Sequence, residues 1–464
     1  MFSLDDTIAA ISTPIGEGGI GIVRMTGPDA SRALHALFIP AGSSSSHLEP
    51  RTLHYGHIVD PVGGEVVDEV LVVHMPAPHT YTRQDVVEIN GHGGIVALRR
   101  ILDLCLRQGV RSAEAGEFTA RAFLNGRLDL AQAEAVVDVV RAKTEVSLQA
   151  ALGQLSGQLS ERVGSVRSSL VAILAYLEAS IDFEEDEIPH QDVEPGLDQA
   201  RSTLEALLAD ADRGIIVRQG IRAAIVGRPN VGKSSLLNRL LRTSRAIVTE
   251  IPGTTRDTLE ETLNLQGIPV VLVDTAGIVE ETEDPIERLG IERSRAALAQ
   301  AELALLVADV SQPLTDADRA IAALVQDKPA LVVLNKVDLV QDSPAGRPFQ
   351  QEAHWPLAAA ARVPVSALTG QGLARLEEAI VELVWAGQVT ASEAPLVTSP
   401  RHKEALNRAL DHVVSARAAH RAGAWSDLVA IDVAGAVNAL GQITGQTASE
   451  ELVETIFANF CVGK

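Results

Sequence analysis

A glycine-containing loop constrains the fold of this chain more than any other feature. The sequence G-R-P-N-V-G-K-S occupies residues 227–234, between an apolar strand-like run at 221–227 and a helical run at 235–241. Glycines let such a loop curl so that its backbone N–H groups, together with the helix N-terminus, surround phosphate oxygens. The ammonium of Lys233 suits the phosphates, and the hydroxyl of Ser234 suits a Mg²⁺ ion. The loop therefore predicts a nucleoside triphosphate site in an α/β domain.

Three further motifs follow in order, each after a strand-like run: D-T-A-G at 274–277, N-K-V-D at 335–338 and S-A-L at 366–368. The carboxylate of Asp274 can hold a Mg²⁺-bound water, and the N–H of Gly277 can meet the γ-phosphate. The carboxylate of Asp338 can accept from guanine N1–H and the exocyclic amino group, a pair of donors that adenine lacks. The motifs therefore predict GTP rather than ATP. The nucleotide-binding residues expected from them are Asn230, Val231, Gly232, Lys233, Ser234, Ser235, Asp274, Thr275, Ala276, Gly277, Asn335, Lys336, Val337, Asp338, Ser366, Ala367 and Leu368.

The wider pattern predicts a multidomain α/β protein. Strand-like runs alternate with amphipathic ones between 221 and 367, which favours a parallel sheet covered on both faces. Before this region, an N-terminal stretch mixes strand-like and helical runs as in an α+β domain, and a helical stretch follows, which we expect to be broken once, at 182–189. Because the chain becomes helical again after Trp385, we expect the α/β domain to be inserted into a helical domain. The predicted domains are 1–122, 123–218, 219–384 and 385–464.

Composition narrows the classes of function. The chain has 464 residues and a formal net charge of -22, which opposes non-specific binding to nucleic acid because that affinity comes from Lys and Arg. Two cysteines, Cys105 and Cys461, cannot form a disulfide framework or a zinc site alone. No window approaches the ~20 apolar residues that span a bilayer, and the N-terminus does not read as a signal peptide. We therefore expect a cytoplasmic protein that does not enter membranes.

Hydrolysis of GTP needs a positioned water and a positive charge at the phosphates. Many GTPases supply these with a Gln directly after D-x-x-G and with an arginine finger. Here Ile278 occupies the Gln position, and an isoleucine side chain cannot orient water. Acidic residues that could do so follow it at Glu280, Glu281, Glu283 and Glu287, although acids in such a segment are more often simply solvated.

Several segments together resemble the MnmE (TrmE) family of tRNA-modification GTPases, and the resemblance covers essentially the whole chain. They are the loop Asn230, T-E-I-P-G-T-T-R-D at 249–257, Ile278, G-G-I-G-I-V-R at 18–24, F-L-N-G-R-L-D-L at 123–130 and C-V-G-K at 461–464. The resemblance implies a homodimer with an N-terminal folate-binding and dimerisation domain. It also implies a FAD-dependent partner, MnmG (GidA), with which the protein forms a heterotetramer. Together they would place a carboxymethylaminomethyl group on the wobble uridine of certain tRNAs, with a 5,10-methylene- or 5-formyl-tetrahydrofolate as one-carbon source.

The resemblance also assigns roles around the phosphates. It implies K⁺ coordination by Asn230, Thr249, Ile251 and Thr254, and it places Thr255 with Ser234 on Mg²⁺. Such a cation, bridging the phosphates, can supply the charge that an arginine finger gives elsewhere. In the E-R-x-G stretch at 287–290, Glu287 becomes the water-orienting acid. The same loop adds to the expected GTP-binding set Thr249, Glu250, Ile251, Pro252, Gly253, Thr254 and Thr255.

The folate site of the family corresponds here to Arg24, Glu88, Arg127 and Lys464. Arg127 stands where the family pattern has a lysine, so the cation is kept but its shape differs. Cys461 lies close to Lys464, where an ammonium can lower the pKa of a thiol. We therefore expect Cys461 to be a candidate catalytic group.

Two other functions stay open on the sequence alone. A ribosome-assembly GTPase of the Era/Der type shares the phosphate loop and the G-T-T-R-D segment, but it carries a second GTPase domain or an RNA-binding KH module, and neither is present here. A nucleotide-gated scaffold, whose partner performs all RNA chemistry, would have the same GTP site. The pattern G-x-G-x-x-G at 16–21 is weak support for a dinucleotide site, because a strand follows it and none precedes it.

Overall fold

The structure is a computed structural model that describes residues 4–42, 48–182, 189, 191–244, 261–274, 298–340, 360–385 and 396–463. Within these ranges the chain forms an N-terminal sheet, a set of long helices, a second sheet and further helices. No helix in the described ranges is long and apolar enough to cross a membrane.

The N-terminal sheet has seven strands in the order β3-β4-β5-β6-β2-β1-β7. All neighbours in it are antiparallel except β1 and β7. Apolar residues of two helices, α1 and α2, pack with one face of the sheet to form a core that includes Val23, Ile89 and Ile101. Cys105 is buried in α2 and belongs to this core. The strands are Ile8–Ile11, Gly21–Thr26, Phe38–Pro40, His54–Val59, Val66–Met75, Val86–Gly91 and Arg111–Ser112, and helices α1 to α3 are Ala30–Leu37, Ile95–Arg107 and Glu117–Leu124.

The helical region is built from two separate parts of the chain that share one core. Leu170 and Leu204, from before the second sheet, pack in the same cluster as Leu406 and Val433, from after it. The α/β domain is therefore inserted into the helical domain, as predicted, while the four domain limits themselves stay predictions. Helices α4 to α8 are Leu130–Arg141, Glu145–Leu155, Gln158–Asp182, Glu194–Ala209 and Ala211–Gln219, and helices α12 to α14 are Pro400–Arg421, Ser426–Thr444 and Glu450–Ala458.

The prediction of a single break in the first helical part was wrong. Further breaks separate α4 from α5, α5 from α6 and α7 from α8. At the first, the hydroxyl of Thr144 accepts from the N–H of Ser147 and so caps the start of α5. At the second, Gly157 adopts a φ of 89°, a conformation that a side chain disfavours. These short signals are hidden within a continuous Ala- and Leu-rich pattern.

The second sheet has six strands in the order β13-β12-β11-β8-β10-β9. β8, β10, β11, β12 and β13 are parallel, as predicted, and both faces of the sheet are buried. The edge strand β9 is antiparallel to β10 and was not predicted. Strands β8 to β13 are Ile221–Val226, Glu261–Leu265, Ile268–Asp274, Leu303–Asp309, Ala330–Asn335 and Ala361–Pro364, and helices α9 to α11 are Lys233–Ser244, Asp316–Leu324 and Leu373–Val384.

Candidate functional site

The phosphate loop joins β8 to α9 and has a backbone that only small residues permit. Gly227 and Gly232 have φ values of 156° and 98°, and Asn230 also lies in the left-handed region with a φ of 61°. A Cβ atom on Gly232 would lie 2.3 Å from Nδ2 of Asn335. The loop therefore depends on glycine for its conformation and for its contact with the N-K-V-D motif.

Lys233 is the first residue of α9, and its side chain turns back into the loop. It is 9% exposed, and its ammonium donates to the carbonyl oxygens of Gly227 and Arg228, each at 2.8 Å. Ser234 and Ser235 follow in the first turn of α9 and are exposed. The loop thus combines the positive end of a helix with a nearby ammonium and two exposed serines, which are groups that suit a polyphosphate.

The N-K-V-D motif holds the phosphate loop from the neighbouring strand end. The side-chain amide of Asn335 donates to the carbonyl oxygen of Val231 at 2.8 Å and accepts from the N–H of Ala367 at 3.0 Å. The ammonium of Lys336 donates to the carbonyl oxygen of Asn230 at 2.8 Å. The structure therefore brings together residues from three of the four predicted motifs at the carboxyl edge of the sheet.

Asp309 anchors this arrangement, and sequence reasoning missed it. It ends β11, is 3% exposed, and its Oδ2 lies 2.6 Å from the Lys336 ammonium. Its Oδ1 accepts from the N–H and the hydroxyl of Ser311. Burial favours the protonated carboxyl, but the bonds from Lys336 and Ser311 outweigh it and hold the pKa of Asp309 below its usual value. Its position at a strand end was the signal that could have identified it.

Asp338 lies in a short 3₁₀ helix, Val337–Leu339, directly after these contacts. Its Oδ1 is buried and has no hydrogen-bond partner among the described residues. The nearby S-A-L segment is ordered by the hydroxyl of Ser366, which accepts from the N–H of Thr369 at 3.1 Å, while Leu368 is 79% exposed. An unsatisfied buried carboxylate oxygen is costly, so Asp338 is suited to a ligand that brings N–H donors, as guanine does.

The remaining predicted residues of the nucleotide site cannot be placed in the same way. Asp274 ends β10 beside Ile225 of β8, but the description stops at its backbone. The other predictions fall outside the described residues, and these are Thr249, Glu250, Ile251, Pro252, Gly253, Thr254, Thr255, Thr275, Ala276, Gly277 and Glu287.

A second group of predicted residues meets on the N-terminal sheet. Arg24 of β2 and Glu88 of β6 are directly opposed, and the Arg24 Nη2 lies 2.7 Å from Oε1 of Glu88. Their side chains are 23% and 21% exposed, so the pair is only partly screened by solvent. The Arg24 guanidinium also lies 5.9 Å from the centroid of the Phe118 ring.

Arg127 lies over the ring of Tyr81, with its guanidinium carbon 4.7 Å from the ring centroid. The Tyr81 hydroxyl is 2.9 Å from that of Thr119. Burial raises the pKa of Tyr81, while the charges of Arg127 and Arg24 oppose that rise. Tyr81 therefore lies against Arg127, one of the predicted folate residues. It was missed because a lone tyrosine in a turn-rich segment carries no motif.

The C-terminal tail lies against the same N-terminal region. The carbonyl oxygen of Cys461 accepts from the N–H of Gly116 at 3.3 Å, and Val462 forms an antiparallel bridge with Ala115. Gly463 is buried with a φ of 96°, where a Cβ atom would lie 2.7 Å from the carbonyl oxygen of Ile11. The Cys461 thiol is free and the residue is exposed. Lys464 falls outside the described residues.

Comparisons with known proteins agree with this arrangement of parts. The model of the MnmE helical domain matches residues 130–461, and that of the GTP-binding protein TrmE N-terminus matches residues 7–127. A "tRNA modification GTPase MnmE" from Roseiflexus sp. is 51% identical over 99% of both chains, and that from Carboxydothermus hydrogenoformans is 50% identical over 99% of this chain and 100% of its own. Among solved structures, Aquifex aeolicus Era bound to GDP and AlF4⁻ is 28% identical, covering 43% of this chain and 67% of its own with a TM-score of 0.31. By the two family models and its full-length similarity to the two MnmE relatives, the chain belongs to the MnmE (TrmE) family of tRNA-modification GTPases.

Proposed function

We propose that this GTPase acts as a cytoplasmic homodimer with a FAD-dependent partner of the MnmG (GidA) type, and that the two add a carboxymethylaminomethyl group to the wobble uridine of tRNA. GTP hydrolysis drives the reaction, and a tetrahydrofolate derivative supplies the carbon. The observation that carries the nucleotide part is the buried Oδ1 of Asp338, which has no hydrogen-bond partner in the part of the chain that the structure describes. It closely follows Asn335 and Lys336, which hold the phosphate loop in place. The family assignment favours this function over ribosome assembly.

Within the nucleotide site, each group has a distinct proposed task. Lys233 and the backbone N–H groups at the start of α9 hold the β- and γ-phosphates. Ser234 and Thr255 would hold Mg²⁺, which would supply positive charge at the phosphates. Asp338 selects guanine. Glu287 orients the attacking water through a second water, because a carboxylate directly beside the γ-phosphate would be repelled.

The proposal includes activation by K⁺, with Asn230, Thr249, Ile251 and Thr254 as ligands. Lys336 fixes the backbone of Asn230 by donating to its carbonyl oxygen, and the amide oxygen of the Asn230 side chain is an acceptor that can face a monovalent cation. The test is the GTP turnover of the full chain in K⁺ and in Na⁺ at equal ionic strength. K⁺ should accelerate turnover, and Asn230→Ala should lose the acceleration while nucleotide binding is retained. Equal rates in the two salts would contradict the cation model.

The folate part of the proposal concerns Arg24, Glu88, Arg127 and Lys464. Arg24 and Glu88 are in contact at 2.7 Å, so they would meet the same end of a folate. A pterin edge carries N–H donors that suit the carboxylate of Glu88 and acceptors that suit the guanidinium of Arg24. Isothermal titration calorimetry with 5-formyltetrahydrofolate tests this. Arg24→Ala should weaken binding by about 1.5–3 kcal/mol, the cost of a lost charged hydrogen bond. Arg32→Ala, at an exposed arginine, is the control and should bind the folate normally. If 5-formyltetrahydrofolate does not bind the unaltered chain, the assignment is contradicted.

Cys461 is proposed as a catalytic thiol, because the tail that carries it is fixed on the same region as Arg24 by the contacts of Gly116 and Val462. Transfer of an isotope-labelled one-carbon unit from folate to tRNA should fall sharply in the Cys461→Ser variant. If the protein is instead a scaffold that only gates its partner, the label should reach tRNA equally well in the Cys461→Ser variant.

A further inference from the structure

The hairpin formed by β9 and β10 is a stiff element with one end at the nucleotide site. Its strands are paired from Leu265 and Ile268 to Glu261 and Leu272. They are joined by Gln266 and Gly267, whose φ values of 51° and 91° are those of a tight type I′ turn. Asn264 closes the turn by accepting from the N–H of Gly267 at 2.9 Å.

Both open ends of this hairpin continue into nucleotide-binding sequence. β9 begins directly after 245–260, which contains the proposed ligands of K⁺ and Mg²⁺, and β10 ends at Asp274 of the D-T-A-G motif. Paired strands of this length extend about 17 Å, at about 3.3 Å per residue. A shift at the nucleotide end therefore moves the turn at the other end.

The turn is seated on the helical domain, at the α4–α5 corner, which we define as residues 142–147. The Thr144 hydroxyl donates to the carbonyl oxygen of Gly267 at 2.8 Å, and the Lys143 ammonium donates to the hydroxyl of Thr262 at 3.1 Å. Val146 packs so closely that a Cβ atom on Gly267 would lie 2.5 Å from its Cγ2. Thr144 and Thr262 are 6% and 3% exposed. These are buried, directed contacts between the two domains.

The same corner also holds the point where the chain enters the GTPase domain. The Ser147 hydroxyl donates to the carbonyl oxygen of Val217 at 2.8 Å, near the end of α8. Asp138 of α4 pairs with Arg218 at 2.8 Å, two residues before the Gly220 that precedes β8. The corner is thus fixed to the GTPase domain through the hairpin, and to α8, the helix that leads into β8.

Behind the corner, α4 and α5 are connected to the far part of the helical domain. Glu134 of α4 accepts from Arg401 of α12 at 2.8 Å, and Gln154 of α5 lies 3.2 Å from the buried His402 of α12. At its other end, α4 begins three residues after Arg127 of the proposed folate site. A displaced corner can therefore move α4, which is about 18 Å long at 1.5 Å per residue, along with the helices attached to it.

We infer that the α4–α5 corner is the contact through which the nucleotide state of the GTPase domain reaches the helical domain, with Thr144 as its central positioning residue. The inference rests on the proposed coupling of GTP hydrolysis to tRNA modification. Thr144 touches neither nucleotide nor tRNA in this account. It acts by fixing the Gly267 turn to α5, because its hydroxyl donates to Gly267 and accepts from the N–H that begins α5.

The test compares Thr144→Val with Thr144→Ser and with Thr203→Val. Valine keeps the shape of threonine and removes every hydrogen bond of the hydroxyl, including its 2.6 Å contact with the Ser147 hydroxyl, and serine restores them. The hydroxyl of Thr203, in contrast, donates within its own helix α7. Thr144→Val should leave GTP affinity and turnover of the purified full chain unchanged and reduce tRNA modification by about fivefold or more. Thr144→Ser and Thr203→Val should modify tRNA normally. The inference would be overturned if Thr144→Val modified tRNA as well as the unaltered chain does, or if it lost GTP turnover to the same extent as tRNA modification.

Hydrogen exchange separates this inference from the proposed function and does not depend on tRNA. Exchanging GDP for a non-hydrolysable GTP analogue should change amide protection in the first turn of α5 in the unaltered chain. The change should vanish in Thr144→Val and in Lys143→Met, which alters only the contact with Thr262. If the exchange of nucleotide causes no change at α5 in the unaltered chain, the coupling is overturned. If that change is present but the unaltered chain does not restore tRNA modification in cells, the result counts against the proposed function alone.

Discussion

The carboxylate of Asp309 holds the ammonium of Lys336 at 2.6 Å, and that ammonium in turn holds the backbone of Asn230 in the phosphate loop. Asp309→Asn keeps the shape but removes the charge, so Lys336 loses its anchor. We expect GTP affinity to fall by about 1.5–3 kcal/mol, the cost typical of a charge-assisted hydrogen bond. Fluorescence titration with a labelled GTP measures this. Asp316→Asn, at a fully exposed carboxylate seven residues away, is the control and should bind normally.

Gly232 tests the contact between the phosphate loop and Asn335 from the other side. Gly232→Ala would place a Cβ atom 2.3 Å from Nδ2 of Asn335 at a φ of 98°. We expect this variant to lose nucleotide binding, which equilibrium titration measures. Its circular dichroism spectrum should show that the helical domain stays folded. Gly164→Ala, in α6 with open space around the added atom, should bind GTP as the unaltered chain does. Normal binding by Gly232→Ala would show that the loop can relax.

Asp338 should determine the choice of base. Guanine offers two donors to its carboxylate, whereas xanthine has a carbonyl in place of the exocyclic amino group. Asp338→Asn should therefore move the preference from GTP toward xanthosine triphosphate, since an amide can donate to that carbonyl. Competition between the two nucleotides measures the shift. A variant that still prefers GTP as strongly would remove Asp338 from the base pocket.

The stability of the helical domain should decrease on acidification because of Glu134 and His402. Burial alone would raise the pKa of Glu134, but His402, whose Nε2 lies 2.9 Å from its Oε2, and Arg401 outweigh burial and hold that pKa below its usual 4.5. Burial lowers the pKa of His402 below its usual 6.5, so the unfolded chain protonates first. In both cases the unfolded state binds more protons, so the stability is present at high pH and is lost as the pH falls, first below 6.5 and then below 4.5.

Thermal unfolding at a series of pH values measures this acid dependence. His402→Gln should flatten the loss that begins below pH 6.5. The exposed His92, whose bond to Asp68 raises its pKa, titrates in the opposite sense, so His92→Gln should not flatten it. A midpoint that is constant from pH 7.5 to about 5 would contradict a buried, neutral His402.

The meeting of the phosphate loop with the N-K-V-D and S-A-L segments was predictable because these motifs are local. The loop from Gly227 to Ser234 and the motif from Asn335 to Asp338 each combine a strand end with side chains whose chemistry is specific. Asp309 and Tyr81 were not predictable, because their roles depend on which strand or loop lies beside them in space. The breaks at Thr144 and Gly157 were hidden for a different reason: one cap or one glycine does not interrupt an apolar helical pattern that continues on both sides.

The most direct test of the whole account is a nucleoside analysis of tRNA from cells that lack the family's own gene and carry this chain instead. Mass spectrometry should find carboxymethylaminomethyl-uridine at the wobble position with the unaltered chain. It should find almost none with Lys233→Ala, which leaves the phosphate site without its ammonium, although the variant is present at equal abundance. Unmodified wobble uridine in cells carrying the unaltered chain, or full modification with Lys233→Ala, would contradict the account.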